Sequence, residues 1–385
     1  MATTPPVLTD PMVPGQRPVR EEISTSNSPQ VWLLRVLSAL IVPVVLVSFF
    51  FAFEFLQRDD INKVVQVVMA VVVGVVGVWV LYWAMDRVTS AFPARVAASV
   101  RPFVFVGPAM VLLAFYLIYP AVNTFILSFQ NSAGDEFVGF DNFARIFSES
   151  TYLVSIRNSV AWVVIVPAVA VAIGLLFATL ADKLPRRSEA FSKSLVFLPM
   201  AISFVGASVV WTFIYSFRPE GFGDQIGVLN AIWVALGNDA VNWMQLPLWN
   251  NLLLMVILIW LQTGFAMVIL SSAIKSVPVE LQEAARIDGA NEWAVFRKIV
   301  VPSIMSTIVV VWTTILITTW KVFDIVFVMT GGGFDTSVVA ERMVTEFFTF
   351  FNRGMGAALA VILFIAVVPI LILNIKQFRQ QEATR

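Results

Sequence analysis

Glu283-Ala284-Ala285-Arg286-Ile287-Asp288-Gly289-Ala290-Asn291 is a charged, small-residue stretch standing between two long apolar runs, 248–274 and 303–329. Crossing the hydrocarbon core of a bilayer takes about 20 predominantly apolar helical residues, and each flanking run is longer than that. The stretch therefore reads as a solvent-side hinge between two membrane helices. The rest of the chain is written in the same way. At 385 residues it is 59% hydrophobic and 13% charged, with a mean hydropathy of +0.85, which excludes an ordinary soluble globular protein.

Composition also removes most catalytic chemistries. Cys and His are both absent, which excludes thiol nucleophiles, thiolate or imidazole metal sites, disulfides and His-centred acid–base catalysis. No Gly is followed by Lys, so there is no phosphate-binding P-loop, and any dependence on ATP must reside in another chain.

Working outward, hydropathy predicts eight spans, at 31–53, 62–84, 102–129, 159–181, 192–216, 248–274, 303–329 and 355–375. Residues 1–30, rich in Pro and Ser/Thr, read as a disordered tail and not as a cleaved signal. With the N-terminus inside, 17 of the 25 Lys and Arg fall on the cytoplasmic side and seven on the opposite side, with Lys321 within a span. That bias fixes the orientation and puts the hinge and both termini in the cytoplasm. The first two spans are Val-rich, and the Arg-bearing segment 85–101 sets them apart as an appended pair, leaving six spans over 102–385. Trp32, Trp83, Trp211 and Trp249 lie near span ends, where interfacial anchoring is the ordinary role.

Within the hinge region 276–302, Pro278 fits the first turn of a helix through Glu280, Glu283, Ala284 and Ala285. Asp288-Gly289 stops it, since Gly289 accepts a left-handed conformation, and Asn291 starts a second short helix through Trp293 and Phe296. The unit is a helix-turn-helix whose small residues admit close approach by another protein. On local physics alone, an ordinary amphipathic surface loop explains it equally well.

The motif is more specific than its local physics. Glu283, Ala284, Ala285, Asp288, Gly289, Ala290, Phe296 and Pro302 resemble the E-A-A…D-G-A…F…L-P loop of permease subunits of binding-protein-dependent ABC sugar importers. Gly139-Phe140-Asp141-Asn142-Phe143 is similar to an outer loop of carbohydrate permeases, and Phe323-Asp324…Thr330-Gly331-Gly332-Gly333 resembles their F-D-x-I…T-G-G-G stretch. The likeness spans roughly residues 100–380 and is closest to the maltose/α-glucoside type. It implies an all-α integral membrane fold of about eight helices, and a coupling helix that docks on an ATPase and carries its motion to the spans. Ser306 stands where the pattern has a second proline, which predicts a softer bend.

Polar groups inside spans are costly unless they face a cavity or a partner, so they are the candidates for a pathway. The resemblance implies substrate contact at Trp260-Leu261-Gln262-Thr263-Gly264-Phe265, where the family motif keeps Trp260 and Leu261. The next flanking span adds Thr319, Trp320 and Asp324. The substrate candidates are therefore Leu261, Gln262, Thr263, Phe265, Thr319, Trp320 and Asp324. The competing reading is packing: Thr hydroxyls bond their own helix, and Lys321 with Asp324 forms a structural pair at i, i+3.

The resemblance implies no cofactor in this chain, with ATP and Mg held by partner ATPase subunits. Its implied partners are a second homologous permease, the ATPase dimer, an extracytoplasmic sugar-binding protein and the lipid bilayer, with no nucleic acid. An ion-coupled secondary transporter is the main rival, and a permease for another solute the next. The former needs acids buried at the membrane midplane, and Asp324 is the one acid placed within a span.

Overall fold

The computed structural model describes residues 29–58, 62–90, 92 and 94–383, and the tail expected over 1–30 lies almost wholly outside them. The described residues are helical almost throughout, with one isolated antiparallel bridge joining Gln130 and Phe137. Packing divides the chain after Pro120 into two compact units.

The first unit holds α1 (Pro29–Leu56), α2 (Lys63–Ser90), α3 (Ala94–Leu113) and a π-helical turn, Ala114–Ile118; the boundary falls at the start of α4 (Tyr119–Leu127), most of which belongs to the second unit. Apolar residues encircle α2, the pattern of a helix surrounded by lipid rather than by water on one face. The segment 85–101 is mostly helix rather than an open linker. It is stitched by the 2.6 Å Arg101–Asp86 ion pair, while Tyr82 stacks on Phe105 with ring centres 5.8 Å apart. The third helix packs with α2.

The second unit runs α5 (Asp141–Ile146), α6 (Ser150–Asp182), α7 (Arg186–Phe197), a 3-10 turn (Leu198–Ala201), α8 (Phe204–Ile214), α9 (Val228–Ala235) and α10 (Trp249–Lys275). There follow α11 (Val279–Ile287), α12 (Glu292–Val295), α13 (Val301–Ser303), α14 (Met305–Trp320), α15 (Asp324–Thr330), α16 (Val339–Val344) and α17 (Arg353–Ala383). Its core lies between α6 and α10, built on fully buried Trp162, Leu254, Ile257, Leu258, Met267 and Leu270. The two helices approach closely because Gly174 has no side chain. A Cβ there would stand 2.5 Å from the Ala266 Cβ and 2.9 Å from the Met267 backbone nitrogen.

Five helices among the described residues are long and apolar enough to cross a membrane, and seven spans result if each bent pair is counted as one. Eight were expected; the remaining one, 31–53, falls on α1, and the two bent pairs are where straight spans were expected instead. The expected span 192–216 turns by 101° between α7 with its 3-10 turn and α8. Ser203 caps the restart by accepting from Gly206 N at 3.1 Å. The expected span 303–329 begins with a 70° turn before Met305 and ends at Trp320. That sharp turn replaces the softer bend expected at Ser306: π-helical Phe296–Val300 and Pro302 interrupt the ladder just upstream, so a second proline is not required.

At the end of the unit away from the hinge, three asparagines hold a strained loop. Asn250 Nδ2 donates to Phe334 O at 2.7 Å, Asn251 Nδ2 to Asp335 O at 3.1 Å, and Asn158 Nδ2 to Asp335 O and Ser337 O at 2.7 and 2.9 Å. Phe334 and Asp335 both have left-handed backbones, with φ of 53° and 58°, which L side chains seldom adopt without such ties. Asn142 performs a similar task nearby, donating to Ser128 O and Gln130 O at 3.0 and 2.7 Å.

Candidate functional site

The hinge forms as its sequence dictates. Pro278 sits at the N-cap, one residue earlier than expected, and α11 runs to Ile287. Gly289, with φ of 87°, reverses the chain while Ala290 N donates to Ala285 O at 2.9 Å. The Asn291 side chain accepts from Ala294 N at 2.8 Å and opens α12. Arg286 bonds both Glu292 oxygens, at 2.7 and 3.3 Å, pinning α11 to α12 across the turn. The Glu292 carboxylate holds the Arg286 guanidinium above its ordinary value.

The hairpin has two faces. Ala285, Ala290 and Phe296 pack against the main core, and the Trp293 and Phe296 rings stack 5.6 Å apart. Glu283, Ala284, Asp288, Gly289 and Pro302 are exposed on the other side. So are two large apolar side chains, Ile287 at 85% and Trp293 at 67%. The exposed face is thus small and acidic at its centre, with apolar residues at its rim. Nothing lies within 4 Å of a Cβ built on Gly289, so that position looks onto open space.

The polar mid-span residues separate into three groups. Thr263 and Thr319 are buried, and each hydroxyl donates to its own helix, to Ile259 O at 2.7 Å and Ile315 O at 2.8 Å. Trp320 is tied to α17 by donation from Nε1 to Leu363 O at 3.0 Å. Gln262 differs from these. It is 9% exposed, yet its amide makes no hydrogen bond among the described residues. The Gln262 amide is not sealed inside the protein, since neither of its polar atoms is fully buried, so it is free to meet a group outside the chain.

Leu261 is buried in the core, and Phe265 packs against it half-buried. Lys321 and Asp324 are not one helical pair. The helix ends at Trp320, residues 321–323 are non-helical, and Asp324 opens α15; no ion pair joins the two side chains. The i, i+3 rule fails because it presumes an unbroken helix.

A cavity of about 420 Å³ lies against α6, α7, α8 and α10, lined among others by Phe177, Pro199, Trp211, Val256, Trp260 and Thr263. The Trp211 and Trp260 rings meet edge-on at 5.7 Å, and the Trp211 Nε1 is buried without a hydrogen-bond partner. Trp211 therefore belongs to the interior and is not the interfacial anchor that its position near a predicted span end suggested. Trp260 and Thr263 are brought together here, whereas Leu261, Gln262 and Phe265 do not line this cavity.

Comparison with known proteins places these features in context. The family described as "Binding-protein-dependent transport system inner membrane component" matches residues 170–379. The "Osmoprotective compounds uptake permease protein GgtC" of Synechocystis is 50% identical over 281 residues, covering 73% of this chain and 100% of that protein. The "Alpha-glucoside transport system permease protein AglF" of Rhizobium meliloti is 45% identical over 335 residues, covering 83% of this chain and 99% of the other. Among solved structures, a chain of the bacterial alginate ABC transporter in complex with an alginate pentasaccharide-bound periplasmic protein superposes with a TM-score of 0.62 at 19% identity. It covers 72% of this chain and 94% of that one, and at this identity it is the fold that is shared.

Proposed function

From the premise that this chain belongs to the family of binding-protein-dependent transport system inner membrane components, we propose that it is the membrane-spanning subunit of an ATP-driven importer for a small glycosidic solute of the α-glucoside class. The solute is delivered from the outer side by a binding protein, and the path is completed by a second, homologous permease. An ATPase dimer, carrying the ATP and Mg, docks on the hairpin and supplies the energy. The chain lies in a prokaryotic plasma membrane with both termini in the cytoplasm.

The observation that carries this reading is the hairpin. A reversed helix pair is locked internally by Arg286–Glu292 and rooted in the core by Ala285, Ala290 and Phe296, while it presents Glu283, Ala284, Asp288 and Gly289 outward. Such a body is rigid enough to carry a push from its exposed face into α10 and α14. Substrate contact is assigned to Gln262 first, as an amide that bonds nothing in its own chain, with Phe265, Leu261, Thr263, Thr319 and Asp324 as neighbouring contributors.

The experiment is uptake of a panel of radiolabelled glycosides by the complete importer in vesicles. Gly289→Leu forces a branched side chain into a left-handed backbone, at a cost of about 1–2 kcal/mol, and fills the open docking surface. It is expected to abolish uptake while the chain still inserts. Gly289→Asn, which tolerates that backbone, retains most of the activity. Full uptake by Gly289→Leu would sink the coupling role, and a panel in which no glycoside is taken up would sink the substrate class.

A further inference from the structure

Lys275 ends α10 four residues before α11 begins at Val279. Its Nζ lies 2.7 and 2.9 Å from the two carboxylate oxygens of Glu189 and 3.7 Å from Asp182 Oδ1. Asp182 ends α6 and Glu189 lies in the first turn of α7, so one ammonium joins three helices at the corner next to the hairpin. Lys193 pairs with the same glutamate from one turn further along α7. The Glu189 side chain is 12% exposed and that of Lys275 47%.

A second attachment lies on the same pair of helices. A Cβ on Gly264 would stand 2.5 Å from Val196 O and 2.8 Å from the Phe197 Cα, so α10 touches the α7 backbone directly there. Eleven residues of α-helix separate Gly264 from Lys275, about 16 Å at 1.5 Å per residue. A single contact leaves a pivot between two helices. Two contacts that far apart fix both their spacing and their angle.

We propose that Lys275 is a positioning residue for the importer. It fastens the hairpin end of α10 to the α6–α7 corner, so that the hairpin, α10 and α7 move as one body, and bending of the broken span is confined to Ile202–Ser203. The proposal rests on the hairpin being the element that receives the ATPase stroke. An exposed ion pair contributes little to folding, but reversing Lys275 sets a third carboxylate against Glu189 and Asp182 and turns the fastening into a repulsion.

The test uses the complete importer in proteoliposomes, with solute uptake and ATP hydrolysis measured together. Lys275→Glu is expected to lower solute moved per ATP by about fivefold at normal membrane content, and Lys275→Arg to restore it. A second measurement covers the case in which Lys275→Glu does not insert. The chain contains no cysteine, so Glu189→Cys with Lys275→Cys can be bridged by a short flexible bismaleimide. Transport at the unbridged rate supports a body that stays fastened throughout the cycle. Arrest of transport by the bridge, or an unchanged ratio in Lys275→Glu, overturns the proposal. Unimpaired transport by Gly289→Leu in the same assay would instead overturn the hairpin reading on which it rests.

Discussion

At the residue scale, Gln262 and Trp320 were equal candidates in the sequence, both polar groups set in apolar runs. Hydrogen bonding separates them. Trp320 gives its indole N–H to Leu363 O on α17, while the amide of Gln262 gives and takes nothing within its own chain. Trp320→Phe is accordingly expected to loosen α14 from α17, costing about 1 kcal/mol of stability and leaving the order of preferred glycosides unchanged. Gln262→Leu is expected to alter that order with little change in thermal stability, because the amide it removes bonds nothing within the chain. Uptake competition and a detergent-solubilised melting curve on both variants check the split. The opposite pattern would return Gln262 to packing and Trp320 to the pathway.

At the element scale, the hairpin was legible and the broken spans were not. Pro278, Gly289 and Asn291 act through backbone geometry and capping within three or four residues, so a local reading finds them. The 101° turn before α8 is a matter of which side chains pack against which. Hydropathy sums over about twenty residues and cannot register a bend. Only Ser203, a cap in the middle of an apolar run, marked the position. The same limit explains Trp211, which stands near the end of a predicted straight span but, once that span bends, faces Trp260 and the cavity. The asparagines at 158, 250 and 251 escape a local reading, because their target is a loop some 84 to 179 positions away. The contact of Gly264 with the α7 backbone gives a prediction at this scale. Gly264→Val must push α10 from α7, at about 1–3 kcal/mol for overpacking. It is expected to reduce folded protein in the membrane, and fluorescence-detected size-exclusion chromatography would show the loss. A normal monodisperse peak would mean that the two helices are not rigidly apposed.

At the scale of the whole molecule, charge asymmetry predicts which end faces inward more firmly than any single contact does. The Lys275–Glu189–Lys193 corner and Arg186 and Arg187 all lie at the hairpin end. The opposite end carries Asn158, Asn250 and the exposed Phe348, Phe350 and Phe351. In the cysteine-free chain, Asp288→Cys is expected to react with a membrane-impermeant maleimide only after the cell is opened, and Phe351→Cys in intact cells. The reverse labelling would invert the orientation and remove the ATPase from the hairpin.

Two interruptions of the helical ladder, at 202–203 and 321–323, carry a consequence for how this chain sits among its neighbours. Hydrocarbon offers no hydrogen bonds, so irregular backbone is tolerated at membrane depth only where protein or water covers it. The exposed Lys321 beside the second interruption sharpens the demand, because an ammonium is received by lipid tails even more poorly than a bare carbonyl. Both breaks therefore act as a compass. The sides that bear them must turn away from the bilayer, toward a companion subunit or an aqueous passage, and the unbroken faces of α6 and α17 are left for the lipid.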